Sequence, residues 1–224
     1  MNKIVLILVG SLLFLLRASA GEITYVDAVE GADGNTYATG RWLADTSWIN
    51  PDTSSKADFN SWKKRAGGNS SFFQARHNRD AMPELTTEIT GLADGDYNVW
   101  VFFWDSAGSK NHWTISAGLR SGDLTTYSHD GAGDTDSPVA ASTLTFSVTP
   151  LMFQEDKTLY GVNLGLVTVS GGSTINVYID NLVGGDSSER TWYDGVGFEP
   201  VSVAKPITLG FVDWTDVFGA GEEI

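Results

Sequence analysis

The chain has 224 residues, of which 28 are acidic, 14 are basic and none is cysteine. That length suits one all-β domain and is enough to bury a core without cross-links. The lack of cysteine excludes thiol catalysis, cysteine zinc sites and iron–sulfur clusters, and the net charge of −14 repels phosphate backbones, which argues against nucleic acid as a partner.

The first twenty residues read as an export signal. Lys3 supplies the positive start, Ile4 to Leu16 is an apolar run, and Ala18-Ser19-Ala20 is a small-residue cleavage site. The run is short for a membrane span, which needs about 20 apolar residues. The expected division is therefore a signal peptide at 1–20 and a secreted chain from Gly21 onward, with no membrane span after cleavage. Lys3 and Arg17 leave with the signal, so 12 basic residues then face 28 acidic ones, a net charge of −16. Secretion places the protein outside the cell, at its surface or in the periplasm.

From Gly21 to about residue 203 the pattern is that of strands. No segment keeps a helical period, and short runs alternate with period two between Asp-Gly, Gly-Gly, Gly-Asp and Asn-Pro turn signals. In chain order the expected strands are Glu22–Ala28, Ser71–Ala75, Leu85–Ile89, Asp96–Trp104, Trp113–Leu119, Leu144–Val148, Leu159–Val169, Ile175–Ile179 and Trp192–Phe198. Asp96–Trp104 is the strongest. Tyr97, Val99, Val101 and Phe103 alternate with Trp100, Phe102 and Trp104, so both faces are apolar and the strand is central and covered. About nine strands separated by turns predict an antiparallel β-sandwich of the jelly-roll kind. The stretch at about 35–69 is different: a long polar insertion carrying Trp42, Trp48, Phe59 and Trp62, as satellite core or as ligand platform. Residues 204–224 read as a short linker and an apolar tail with Phe211, Trp214 and Phe218, suited to self-association or to packing on the domain.

Four stretches together carry a resemblance. They are Leu85-Thr-Thr-Glu-Ile-Thr-Gly-Leu-Ala-Asp-Gly-Asp-Tyr-Asn-Val-Trp-Val-Phe-Phe-Trp-Asp105, Trp113-Thr-Ile-Ser-Ala-Gly-Leu-Arg-Ser-Gly-Asp123, Ile175-Asn-Val-Tyr-Ile-Asp-Asn181 and Arg190-Thr-Trp-Tyr-Asp-Gly-Val-Gly-Phe-Glu199. The set resembles galactose-binding-like jelly-roll and carbohydrate-binding modules of large exported bacterial proteins. The resemblance implies a jelly roll and a polysaccharide or other glycan as partner.

Sugar recognition needs aromatic faces for the apolar side of a pyranose and polar groups for its hydroxyls. Trp104, Asp105, Asn111, Trp113, Arg190, Trp192 and Tyr193 combine both at strand ends, where a rigid scaffold displays function. Trp104 and Trp113 also suit plain core packing. Arg190 and Asp194 stand four apart on a strand, in line with Val196 and Phe198. Asp194 is therefore expected to be partly buried, with Arg190 or an indole N–H as its donor. Asp130, Asp134 and Asp136 lie in a glycine-rich loop, either a calcium site or a solvated turn.

Catalysis finds little support. No nucleophile elbow, phosphate loop or paired-histidine metal motif occurs, and His77, His112 and His129 carry no motif. Two functions of different class remain: a non-catalytic glycan-binding module, favoured by the aromatic and polar strand ends, and a structural or adhesive surface protein, suggested by the acidic, glycine-rich chain and its apolar tail. A polysaccharide-degrading enzyme ranks third.

Overall fold

A computed structural model describes residues 21–29, 34–38, 62–67, 70–75, 82–105, 113–129, 138–154, 157–181 and 190–201. All of them belong to one compact unit, Ala20–Val201. The expected export signal at 1–20, the tail at 204–224 and Trp42, Trp48 and Phe59 lie outside the described residues.

The described chain is all-β, with one short 3-10 turn at Ala141–Thr143. Its strands are β1 (Ile23–Asp27), β2 (Thr36–Ala38), β3 (Lys63–Gly67), β4 (Ser70–Ala75), β5 (Leu85–Ile89), β6 (Gly95–Asp105), β7 (Thr114–Arg120), β8 (Asp123–Ser128), β9 (Val139–Ala140), β10 (Phe146–Val148), β11 (Phe153–Gln154), β12 (Lys157–Val169), β13 (Ile175–Asp180) and β14 (Thr191–Pro200). All nine expected strands are present. The five further ones, β2, β3, β8, β9 and β11, are short or polar and lack the apolar alternation that marks a half-buried strand. Both ends of the insertion at 35–69 are thus strands, and Trp62 is core: it is buried, and its indole N–H donates to the Pro83 carbonyl at 2.6 Å.

Two sheets form. The larger runs β10-β1-β14-β6-β12-β11, with β4 also along β14, β3 on β4, and β9 along β12. The smaller runs β2-β5-β13-β7-β8. Pairing is antiparallel except between β1 and β10, which run parallel. The chain crosses from the larger sheet to the smaller one between β12 and β13 through Ser170-Gly171-Gly172-Ser173, where the two glycines hold φ of 62° and 74°. Consecutive positive φ values suit glycine and few other residues.

The β6 alternation sorts the core into two clusters. Tyr97, Val99, Val101 and Phe103 face the smaller sheet and pack with Val162, Tyr193 and Val196 against Leu85, Ile115, Val177 and Ile179. Phe102 and Trp104 point the other way, into a second cluster with Ile23, Phe72, Trp113, Leu159 and Trp192. Leu144, Phe146, Leu151 and Met152 pack over that outer cluster. Each fully buried aliphatic or aromatic side chain contributes about 1.5–3 kcal/mol, so a strand buried on both sides anchors the fold. The Phe102 ring fits because its neighbours on β12 and β14 are glycines. A Cβ on Gly161 or Gly197 would lie 2.7 or 2.9 Å from that ring.

Two expected alignments are corrected. Period-two alternation in the expected strand Trp113–Leu119 would set Trp113 on the face of Ile115, Ala117 and Leu119; instead it joins the outer cluster, ahead of the first residue of β7. Asp194 does not line up with Val196 and Phe198. The β6–β14 register shifts between Tyr193 and Gly195, inserting one residue into β14. Such a bulge changes the alternation. Tyr193 and Val196 therefore both face the inner core, while Asp194 turns toward Trp104.

Candidate functional site

Five strand ends meet at one end of the larger sheet. Thr158 pairs with Asp105 and Leu159 with Trp104, which sets the start of β12 against the end of β6. Thr114 pairs with Ser128, joining β7 to the end of β8. The Thr114 amide donates to the Arg190 carbonyl at 3.2 Å, and the Thr191 hydroxyl donates to the Thr114 carbonyl at 2.7 Å, tying in the start of β14.

A buried carboxylate organises this end. Asp105 is fully buried, and its Oδ1 accepts the Trp113 amide at 3.0 Å. Its Oδ2 makes a short contact with Nδ1 of His129. That ring is 17% exposed and stacks on Tyr160 with centroids 5.0 Å apart. A carboxylate on one ring nitrogen fixes the orientation of an imidazole, which is how proteins aim the other nitrogen. Beside this pair, the Lys157 ammonium stands 5.2 Å from the Trp113 ring and 5.8 Å from that of Trp192. Trp192 is sandwiched: its ring lies 4.3 Å from Trp113 and 4.4 Å from Phe72. A desolvated ammonium over an indole contributes about 2 kcal/mol. The result is a stiff aromatic floor with the buried Lys157 ammonium over it, the His129 ring beside it and the Arg190 backbone tied to β7.

A second polar group lies deeper. Asp194 is 1% exposed; its Oδ1 accepts the Trp104 indole N–H at 2.7 Å and its Oδ2 lies 2.5 Å from the Tyr25 hydroxyl. Burial pushes the Asp194 carboxyl up to about 7; the hydrogen bonds from Tyr25 and Trp104 pull it down, and the charge of Asp27 raises it further. Tyr25 is shifted upward by burial and by the same two carboxylates. Among the described residues, no group of three or more histidine and carboxylate side chains is placed to hold a metal ion.

No protein-family model and no curated protein matches the sequence. Among solved structures, the chain is similar to the Podospora anserina GH26-CBM35 β-(1,4)-mannanase, with 11% identity and a TM-score of 0.39 over 84% of this chain. It is also similar to a family GH115 4-O-methyl-α-glucuronidase with specificity for decorated arabinogalactans, with 11% identity and a TM-score of 0.35 over 65% of this chain. The chain spans 29% of the first protein and 17% of the second.

Of the residues expected at a glycan site, the fold brings Trp104, Asp105, Trp113, Arg190 and Trp192 to the same strand ends. Their packing fits the core alternative given above for Trp104 and Trp113. Trp104, Asp105 and Trp192 are at most 1% exposed, and Trp113 is 8% exposed, so the indoles pack as a floor and offer almost no open face. Arg190 is half-buried. Tyr193 is not at this end's surface at all. It lies in the inner core, with its hydroxyl 2.6 Å from that of Thr87 and its ring against Phe73. Asn111, Asp130, Asp134 and Asp136 lie outside the described residues. Two members went unseen in the sequence: His129, with no motif around it, and Lys157, the first residue of a long strand. The one available signal was the Thr114–Ser128 hairpin register, which sets His129 next to Trp113.

Proposed function

We propose that this chain is an exported, non-catalytic carbohydrate-binding module of the galactose-binding-like jelly-roll kind. A polysaccharide docks at the strand ends around Trp113, His129, Lys157 and Arg190. The observation that carries this reading is the convergence there of four aromatic rings, an oriented imidazole and an ammonium, with half-buried Arg190 at the start of β14 beside them. Trp104, Trp192 and Tyr160 set the floor, Asp105 holds His129, Lys157 lies over the indoles, and the part-exposed His129 and Arg190 bond sugar hydroxyls. The reading includes calcium as a ligand of Asp130, Asp134 and Asp136. The adhesive alternative draws on the tail at 204–224, outside the described residues.

Binding of this kind is weak, with dissociation constants from about micromolar to millimolar, corresponding to about −8 to −4 kcal/mol. A polysaccharide panel in affinity electrophoresis tests it. Arg190→Ala and His129→Ala are expected to weaken binding at least about tenfold, the loss of about 1.4 kcal/mol. A chain retarded by no polysaccharide, or variants retarded as strongly as the parent, would refute the proposal.

A further inference from the structure

We propose that Asp194, Tyr25 and Asp27 form a proton-operated latch that fastens strand β1 to β14. The Tyr25 hydroxyl has one hydrogen to donate, and three acceptors face it: Asp194 Oδ2 at 2.5 Å, Asp27 Oδ1 at 3.2 Å and, at 3.3 Å, the Asp194 carbonyl, which already takes the Ala28 amide. When Asp194 is ionised, that hydrogen goes to Asp194, and Asp27 receives none from Tyr25. When a proton from solvent sits on Asp194 Oδ2, the acid donates to Tyr25 and the tyrosine hydrogen is released to Asp27. The chain Trp104 to Asp194 to Tyr25 to Asp27 then carries a directed hydrogen at every link, and no covalent bond other than O–H changes.

The surroundings favour the protonated form. Asp194 is buried, and its bonds come from an indole and a phenol, both neutral. Among the described residues, the titratable groups around it are Tyr25 and Asp27 on β1 and Tyr193 beside it on β14, whose hydroxyl is turned to Thr87. A buried carboxylate bonded by neutral donors and facing a second carboxylate is costly to ionise. The geometry is built for close approach. Gly195 leaves room for the Tyr25 hydroxyl, since a Cβ there would stand 2.7 Å from it. The backbone closes the same seam, with the Ala28 amide donating to the Asp194 carbonyl at 3.1 Å.

The direction with pH follows. The carboxyl titrates near 7 when latched and near 3.8 when exposed. The latched state therefore binds the proton more tightly. Its extra hold on β1 is complete below about pH 4 and is lost as pH rises through about 7. Hydrogen exchange of the β1 amides on the full chain, corrected for intrinsic rate, reads this directly. Between pH 5 and pH 7 protection should fall by up to about tenfold per pH unit and then level off. Asp194→Asn keeps an acceptor for Trp104 and a permanent donor to Tyr25, so its β1 protection should be flat over that range. Asp27→Asn removes the neighbouring charge and should move the midpoint to lower pH. An equal fall in Asp194→Asn and the parent chain, or an unmoved midpoint in Asp27→Asn, would overturn the latch. So would a profile in the parent chain that depends on added calcium against chelator and loses that dependence in Asp194→Asn.

Discussion

Replacing Trp104 by alanine is expected to cost about 3–5 kcal/mol of stability, the range for truncating a large buried aromatic. Trp104 is fully buried on the outer face of β6, among Ile23, Phe72, Leu159 and Trp192. Its loss opens a cavity in the cluster that Leu144, Phe146, Leu151 and Met152 cover. It also strips Asp194 of the donor 2.7 Å from Oδ1. Leaving a buried acceptor unpaired costs about 1–3 kcal/mol on its own. Trp104→Phe separates the two effects, because it keeps most of the ring and removes the N–H. For a domain of this size each kcal/mol moves the melting temperature by about 2–4 °C, so the alanine variant should melt about 6–20 °C lower. A drop of a degree or two would mean that the indole is a surface platform after all.

Gly195→Val is expected to loosen the β1–β14 seam by about 1–3 kcal/mol or more through overpacking. A Cβ at this position would meet the Val26 carbonyl oxygen at 2.5 Å and the Tyr25 ring carbon bearing the hydroxyl at 2.9 Å. The first of these is backbone, so no rotamer change relieves it. Gly195 pairs with Asp27 across the seam, next to the inserted residue of β14. The strand must move away or the register must slip. Thermal melting with circular dichroism reads the loss, and a variant that melts with the parent would show that the bulge is looser than its contacts indicate.

Much of the fold was legible because some strands announce themselves. The β6 alternation, Tyr97-Val99-Val101-Phe103 against Trp100-Phe102-Trp104, forecast two covered faces, and two clusters are found there. Strands such as β2, β9 and β11 are two or three residues long, and no periodicity can be read from so few positions. The bulge at Asp194 was equally invisible. One inserted residue reversed the side on which Asp194 stands, and nothing in Tyr193-Asp-Gly-Val196 marks the insertion beyond the glycine. The expected indole donor was nevertheless found, as Trp104.

The candidate site was legible by position and not by role. Aromatic and polar residues at the ends of the β6, β7 and β14 runs do converge. Tryptophan serves cores and ligand platforms alike. Only packing decides between them, and here Trp104 and Trp192 are held by Asp194, Phe72 and Trp113. His129 and Lys157 come from runs that carry no functional signal, and only the sheet register brings them to the same place. Tyr193 lies in the inner core for the reason that Asp194 turned: the bulge sets their faces.

The most direct test of the glycan-binding claim is an NMR titration of the 15N-labelled chain from Gly21 onward with the best-retained oligosaccharide. Shifts are expected to concentrate in the amides of Trp113, Thr114, His129, Lys157, Arg190 and Thr191, with the smaller sheet's β2, β5 and β13 unmoved. Shifts confined to that smaller sheet, or none at saturating sugar, would contradict it.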